Sequence, residues 1–281
     1  MVVVIIWGIN FLAVSSVSDF YPPLLGAALR FVPLALLAMV FLPKPRGSWR
    51  WVVQYGLWIG TGQFGLLYVG MAMGVPPGLA SVVVQISAPL TVLLASLLLN
   101  EPLSRLALVG TGVALGGIGV IAWDRMSAGA ALPLILVVAG AASWAGGNVV
   151  GRMAREVRPL HLAMWMTVVP PVPLLVLSVL FEGTAAIHRA WDSALTVAAV
   201  PANIGLLFTA FGASGVAYIL WTGLLARNPS SRVAPFSLLV PVVGMLAAWL
   251  VHGEVPTFFA AVGGALLLAG AALALAPGLR R

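Results

Sequence analysis

The sequence contains no cysteine and little charge of either sign. Only 7% of its 281 residues are Asp, Glu, Lys or Arg, while 62% are hydrophobic. The lack of cysteine excludes disulfides and thiolate-bound metals. A chain with so little charge cannot cover the surface of a water-soluble globule, so we predict an integral membrane protein.

Residues that could carry chemistry are also missing from the apolar runs. Intramembrane catalysis needs a nucleophile with a base, a carboxylate pair or a metal cluster, and the acids and histidines all map to loops or span ends. A glycine–lysine loop for nucleotide phosphates is absent too. We therefore predict no enzymatic activity, no metal or other cofactor, and no ATP-driven pump. A facilitator that runs down the gradient of its substrate is the simplest hypothesis, and weak proton coupling through Glu101, Glu254 or another residue at the membrane edge stays open.

Long apolar runs divide the chain into helices that can cross a bilayer. Residues 51–100 carry no charge, and about 20 apolar residues suffice for one span, so the Gly–Pro-rich segment 74–78 must be a hairpin between two spans. The first run lacks the basic start and small-residue cleavage site of a signal peptide. We predict an all-α fold with ten transmembrane helices, at residues 2–17, 24–42, 51–73, 79–99, 106–123, 132–151, 160–181, 201–225, 233–251 and 258–276.

The basic residues predict the orientation, because Lys and Arg concentrate in cytoplasmic loops. If the N-terminus is cytoplasmic, only Arg125 and Arg189 fall outside. The inside group then comprises Lys44, Arg46, Arg50, Arg105, Arg152, Arg155, Arg158, Arg227, Arg232, Arg280 and Arg281. We predict that both termini are cytoplasmic. The net charge of +7 then reflects topology and contact with anionic lipids rather than nucleic-acid binding.

The two halves of the sequence echo each other. The first-half residues Trp7, Asn10, Tyr68, Pro89, Glu101, Gly110 and Gly117 are answered by Trp144, Asn148, Tyr218, Pro241, Glu254, Gly263 and Gly270. We predict two five-helix repeats, residues 1–126 and 127–281. Because five spans is an odd number, the second repeat must be inverted relative to the first. Inverted repeats are typical of secondary transporters that work by alternating access.

Short motifs along both halves resemble one transporter family. They are Trp7-Gly8-Ile9-Asn10-Phe11, Leu29-Arg30-Phe31, Ser87-Ala88-Pro89-Leu90 and Asn100-Glu101-Pro102, then Ser143-Trp144 with Asn148, Leu239-Val240-Pro241-Val242 and Gly253-Glu254. Their order resembles the drug/metabolite transporter superfamily in its ten-span form with two EamA-type domains. Among its members the chain looks most like the YddG-type exporters of aromatic and other neutral amino acids.

The resemblance implies an exporter in a bacterial inner membrane. The substrates that it implies are small neutral or zwitterionic solutes, above all aromatic and hydrophobic amino acids. It also implies that they are moved outward by alternating access. Two alternatives stay open: an exporter of another metabolite or drug, such as a nucleoside or a cationic compound, and a passive channel. The oligomeric state is open as well, a monomer included.

By the symmetry of the repeat, the substrate site should lie between spans one, three and four and their counterparts six, eight and nine. Pro89 and Pro241 each remove a helical hydrogen bond near the middle of a span, and we predict hinges there. The freed carbonyls belong to Gln85 and Ser237. The predicted substrate-binding residues are Trp7, Asn10, Tyr68, Gln85, Trp144, Asn148, Tyr218, Phe236 and Ser237.

Arg30 breaks the pattern, because it is a charge inside a predicted span and its counterpart is Thr167. Three roles stay open: anchoring to carbonyls, snorkelling to the interface, and contact with a substrate carboxylate. Glu101 and Glu254 are expected to act as helix-end devices or as gate latches. The small residues of spans five and ten, among them Gly110, Gly117, Gly263 and Gly270, predict close helix packing.

Overall fold

A computed structural model describes residues 1–45, 49–127, 131–227 and 234–276, and within these ranges all of its regular secondary structure is helical, with no strand. The predicted all-helical fold is confirmed. Of the basic loop residues, Arg46, Arg232, Arg280 and Arg281 lie outside the described residues. The first half forms α1 Val2–Ser18, α2 Pro23–Phe41, α3 Trp49–Ala72, α4 Pro77–Leu99 and α5 Arg105–Ser127.

The second half begins with α6 Ala131–Met153 and α7 Pro159–Phe181. A short helix, α8 Thr184–Asp192, follows. Next come α9, which runs from Val197 to Arg227, and α10, which runs from Ala234 to His252. The last helix is α11 Phe258–Leu275. Each predicted span overlaps one of these helices, although residue 233, the predicted start of the ninth span, lies outside the described residues. The helix α8 lies between the seventh and eighth predicted spans, where we predicted no span.

Seven of the described helical segments are long and apolar enough to cross a membrane. Val2–Ser18 and Phe236–His252 are apolar but shorter. Trp49–Ala72 has the length, but its two glutamines and its tyrosines and tryptophans lower its mean hydropathy. The chain is therefore a multi-pass membrane protein, while the inverted ten-span arrangement stays a prediction.

Most of the long helices are irregular near their middle. When the short α8 is set aside, the third long helix of each half contains a π-helical segment, Gly56–Gln63 in α3 and Phe208–Val216 in α9. The fourth contains a 3₁₀ segment, Val84–Ile86 in α4 and Ala234–Leu239 in α10. Such interruptions within long helices recur at functional sites.

Two further interruptions follow from proline. In α2 the α-helix stops after Leu29 and resumes at Val32, with Pro33 in the new first turn. In α7 a 3₁₀ turn, Met166–Val168, precedes the segment that starts at Pro171. Proline cannot donate the helical hydrogen bond and crowds the preceding turn, so the chain breaks where the sequence places it.

The last helices of the two halves, α5 and α11, pack directly against each other through glycine. A methyl group on Gly117 would lie 2.6 Å from the backbone nitrogen of Leu267, and one on Gly263 would lie 2.7 Å from the carbonyl oxygen of Gly117. Gly110 and Gly270 face each other in the same way. Only glycine permits so close a backbone approach. These residues therefore hold the two halves of one chain together.

Candidate functional site

A cavity of about 490 Å³ lies in the middle of the bundle. Most of the interrupted helices contribute to its wall at or beside the interruption. The residues that do so are Arg30 of α2, Gln63 of α3, Gln85 of α4, Ala213 of α9 and Ser237 of α10. Polar side chains and backbone in an apolar protein are tolerated where they line such a space. The irregular geometry of these helices therefore surrounds one site.

Seven of the nine predicted substrate-binding residues line this cavity: Trp7, Asn10, Gln85, Trp144, Asn148, Tyr218 and Ser237. Tyr68 does not, because it is fully buried against Arg30, whose Cζ lies 5.9 Å from its ring centroid. Phe236 does not either, since its side chain is 48% exposed. Its neighbour Ser237, which was also predicted, does line the cavity.

An aromatic cluster forms one part of the wall. The ring of Trp7 meets Tyr218 at a centroid distance of 5.6 Å, edge to face, and Trp221 at 5.2 Å. The indole Nε1 of Trp7 donates to the carbonyl of Ala213 at 3.1 Å. That bond fixes the ring and ties α1 to the π-helical segment of α9. The cluster offers flat, apolar surface to a ligand.

The polar part of the wall joins the two halves. The amide Nε2 of Gln85 donates to the carbonyl of Ser237 at 3.1 Å. Pro241 cannot satisfy that carbonyl, so the side chain of one half fills the place of a helical donor in the other. Asn148 Nδ2 donates to Thr91 Oγ1 at 3.1 Å. The amide oxygens of Asn10 and Gln63 have no partner among the described residues.

The two predicted hinge prolines lie next to these contacts. Pro89 is buried in the α-helical segment that follows the 3₁₀ turn of α4. Pro241 lies in the first turn after the 3₁₀ segment of α10. Each therefore marks a change of helix type beside the cavity, which is the geometry that a hinge requires. Their movement stays a prediction.

Arg30 lies in the cavity wall and is only 1% exposed, so it does not snorkel. Its Nη2 donates to Ser214 Oγ at 2.8 Å and to the Thr209 carbonyl at 3.4 Å. Its Cζ lies 3.8 Å from the ring centroid of Phe64, a cation–π contact. Nε and Nη1 have no partner among the described residues.

The cavity reaches solvent at one end of the bundle. Beyond the central residues its lining continues along Gly151, Arg155, Val157 and Pro159, and the side chain of Arg155 is exposed. We call this the arginine-rich end, because Arg152, Arg155 and Arg158 lie there. No described residue of the loops at the opposite end lines the cavity.

Glu254 helps to close the opposite end. Its carboxylate accepts hydrogen bonds from the backbone N–H groups of Gly78 at 2.9 Å and Leu79 at 3.1 Å. These are first-turn donors of α4 with no helical partner, and a carboxylate is favoured at a helix N-terminus. Glu254 thus links the end of α10 to the start of α4.

Glu182 makes a matching contact at the same end. It accepts from the N–H groups of Leu24 at 2.6 Å and Leu25 at 3.2 Å, in the first turn of α2. Ser178 Oγ donates to the same carboxylate at 2.5 Å. At the arginine-rich end, Glu101 instead forms an ion pair with Arg152. Only the end away from the cavity mouth is therefore joined by carboxylate caps in the described residues.

The sequence did not single out every residue of the site. Gln63, Trp221 and Tyr55 line the cavity but were not among the predicted binding residues. Gln63 carried a usable signal, since it is a polar residue in a charge-free run. Glu182 carried none, because its role depends on the distant start of α2. The described residues hold no cluster of His, Asp or Glu that could bind a metal.

Comparison with protein families places the chain among known transporters. The model of the EamA-like transporter family matches residues 1–123 and 131–276. A probable amino-acid metabolite efflux pump of Salmonella typhimurium is 36% identical over 276 residues, which cover 96% of this chain and 91% of that protein. Its namesake in Escherichia coli strain K12 is 35% identical with the same coverage.

More distant similarities agree. A probable terminal-alkyne amino-acid exporter of Streptantibioticus cattleyicolor is 31% identical over 204 residues, which cover 71% of this chain and 64% of that protein. One solved crystal structure matches with a TM-score of 0.65 at 21% identity, covering 99% of this chain and 96% of its own. At that identity the likeness shows the fold alone.

Proposed function

The chain belongs to the EamA-like transporter family, and on that premise we propose that it exports aromatic and other hydrophobic amino acids by alternating access. Its family and its relatives make it a membrane transporter and not an enzyme. The relatives named as probable amino-acid metabolite efflux pumps support an amino-acid substrate and the outward direction. The aromatic preference and the mechanism depend on the site itself.

The chemistry of the cavity wall supports an amino acid with a flat or apolar side chain. Trp7, Tyr218 and Trp221 offer aromatic surface, while Asn10 and Gln85 offer amide groups nearby. A few polar groups in a mainly apolar pocket give a ligand its orientation and its specificity. A nucleoside or a cationic drug is the alternative substrate, and it meets an arginine in the same wall.

The helix interruptions support two inverted five-helix repeats, residues 1–126 and 127–281. The π-helical segments occur in α3 and α9, and the 3₁₀ segments in α4 and α10. The residues that end α4 and α10, Asn100 and Gly253, both adopt positive φ, at 53° and 64°. Corresponding positions in the two halves thus depart from ideal helix geometry in the same way.

The asymmetry between the two ends of the bundle is the single observation that carries alternating access. The cavity reaches solvent beside Arg155, while Glu254 and Glu182 hold the opposite end together. Because basic loops stay in the cytoplasm, we assign the open end to the cytoplasm and place both termini there. The described conformation would then accept substrate from inside the cell.

A liposome experiment tests this function. Purified protein is reconstituted into liposomes that are preloaded with unlabelled phenylalanine, and the uptake of labelled amino acids, nucleosides and cationic dyes is measured. We expect saturable phenylalanine uptake that the preloaded amino acid stimulates, because a carrier returns faster when it is loaded. Non-saturating flux would indicate a channel, and flux of only dyes or nucleosides would refute the substrate assignment.

Variants relate that flux to the cavity. Trp144→Ala removes a cavity-lining ring and should lower phenylalanine transport without lowering membrane insertion. Trp191→Ala is the matched control, because this ring lies on α8 and is 66% exposed. Unchanged transport in the Trp144 variant would contradict the assignment of the cavity as the substrate site.

A further inference from the structure

Arg30 is a cation buried inside the bundle, only 1% exposed. Among the described residues it has no acidic partner, and the one ion pair joins Arg152 to Glu101 at the surface. Taking an ion out of water costs several kcal/mol unless it is paired. Arginine stays protonated in proteins, so the charge persists. A charge retained within a membrane-spanning segment indicates a functional role.

Its protein contacts use only part of the guanidinium. An arginine has five N–H donors, and the contacts to Ser214 and Thr209 both involve Nη2. Nε and Nη1 carry the other three donors, and neither nitrogen has a partner among the described residues. An anchoring role alone would leave more than half of the donors unsatisfied. The missing partner must be an acceptor, and the charge favours an anionic one.

The side chains around Arg30 supply no anion, but Arg30 lines the cavity, and a ligand in the cavity can supply one. Phe31, Phe64 and Tyr68 surround the guanidinium with aromatic rings. Phe64 and Arg30 also line the cavity, as do Asn10 and Gln63. The unpaired amide oxygens of those two residues accept hydrogen bonds. Donors on Arg30 and acceptors on Asn10 and Gln63 match the carboxylate and the ammonium of a zwitterion.

We propose that Arg30 binds the carboxylate of the transported substrate. The inference rests on the proposed function, since it assigns a group of that substrate to a residue of that cavity. Nε and Nη1 are covered in the described conformation, and the Phe64 ring lies over the guanidinium, so binding requires this ring to turn aside. The hydrogen bond to Ser214 holds the guanidinium in place meanwhile.

The substrate class follows from this assignment. Amino acids and other compounds with a carboxylate bind, whereas amines and cationic dyes without one are repelled by the same charge. A neutral or cationic compound leaves the donors of Arg30 unpaired, and a site built for a polar group rejects analogues that lack it. Arg30 thereby excludes the cationic compounds that form the alternative substrate class.

Two ligands that differ only in the carboxylate test the proposal. Binding of L-phenylalanine and L-phenylalaninamide to the purified full-length protein is measured by titration calorimetry. The unsubstituted protein should prefer phenylalanine roughly ten- to a hundredfold, the range of one charge-assisted hydrogen bond. In Arg30→Gln that preference should disappear, because phenylalanine binding weakens while amide binding holds or improves.

Arg189→Gln is the matched control, because it makes the same substitution at an exposed arginine of α8 that does not line the cavity. It should keep the preference for phenylalanine. Equal weakening of both ligands in Arg30→Gln would show a merely structural role and overturn the proposal. If Arg30→Gln does not fold, the unsubstituted protein still decides, since an equal or greater affinity for the amide refutes carboxylate binding.

If the proposed function is wrong, the binding results differ from those expected if only the role of Arg30 is wrong. If the unsubstituted protein binds leucine but not phenylalanine, the aromatic substrate is wrong, and the comparison of leucine with leucinamide then tests Arg30 in the same way. Binding of neither amino acid overturns both proposals. Preference for phenylalanine with no loss in Arg30→Gln overturns the role of Arg30 alone.

Discussion

Where the helices of this protein are irregular, single polar side chains donate hydrogen bonds to backbone carbonyls. Ser143 Oγ of α6 donates to the carbonyl of Trp58 at 2.6 Å, within the π-helical segment of α3. Ser214 Oγ donates to the carbonyl of Thr209 at 2.9 Å in the π-helical segment of α9. Serine and threonine commonly bond to backbone carbonyls inside membrane proteins. The two π-helical segments thus each have a serine that stabilises them.

The bond from Ser143 should be measurable as stability. We expect Ser143→Ala to lower the free energy of unfolding by about 1 kcal/mol, because it leaves a buried carbonyl without its donor. Thermal unfolding of the purified protein measures this as a lower midpoint. Ser16→Ala is the control, since Ser16 bonds only within its own helix, to Leu12 at 3.2 Å. Equal midpoints for both variants would contradict this role of Ser143.

At the scale of helices, the faces of α5 differ sharply. Gly110 and Gly117 lie against the backbone of α11, while Gly112, Gly116 and Gly119 have open space where a side chain would stand. The sequence shows the same residue type at all five positions. Only the packing of the two helices distinguishes glycines that are required from those that are not.

Alanine should therefore have opposite effects at neighbouring positions. In Gly117→Ala the new methyl group would overlap the backbone of Leu267 and the carbonyl of Gly263, which should cost about 1–3 kcal/mol of stability. Gly116→Ala places the methyl group in open space and should leave stability unchanged or slightly raised. Thermal unfolding in one detergent compares them. A larger loss for Gly116→Ala would refute the observed packing of α5 on α11.

At the scale of the whole molecule, the two ends of the bundle are held differently. Carboxylates from the second half cap two helices of the first half at the closed end, through Glu254 and Glu182. At the arginine-rich end Glu101 pairs with Arg152 of α6. Loss of a carboxylate cap should therefore favour opening of the closed end.

Cysteine labelling measures that shift, since the chain has no cysteine of its own. Ser87→Cys puts one thiol on the cavity wall, and a membrane-impermeant maleimide should reach it from the arginine-rich side. Adding Glu254→Ala should raise labelling from the other side roughly tenfold, as expected for losing charged hydrogen bonds. Adding Asp192→Ala instead, at an exposed carboxylate of α8, should change nothing. Unaltered labelling with Glu254→Ala would contradict the role of Glu254 in holding the closed end together.

Much of this architecture was determined by local sequence. Apolar runs long enough to span a bilayer must form helices, so the helices were predictable within a few residues. The helix irregularities beside Pro33, Pro89 and Pro241 were predictable as well, because proline removes a hydrogen bond wherever it stands. Seven of the nine residues that the repeat predicted for the substrate site line the cavity, since equivalent positions of the two halves were expected to face one interface.

Tertiary structure decided what depends on how the helices are rotated and which ones meet. The exposure of Phe236, the burial of Tyr68 and the enclosure of Arg30 depend on helix rotation, which a uniformly apolar pattern does not specify. The partners of Glu254 and Glu182 lie more than 150 residues away. Which end of the cavity is open follows from those contacts. A sequence with two matching halves is compatible with a cavity that opens at either end of the bundle. The packing of helices that are distant in sequence determines which end is open.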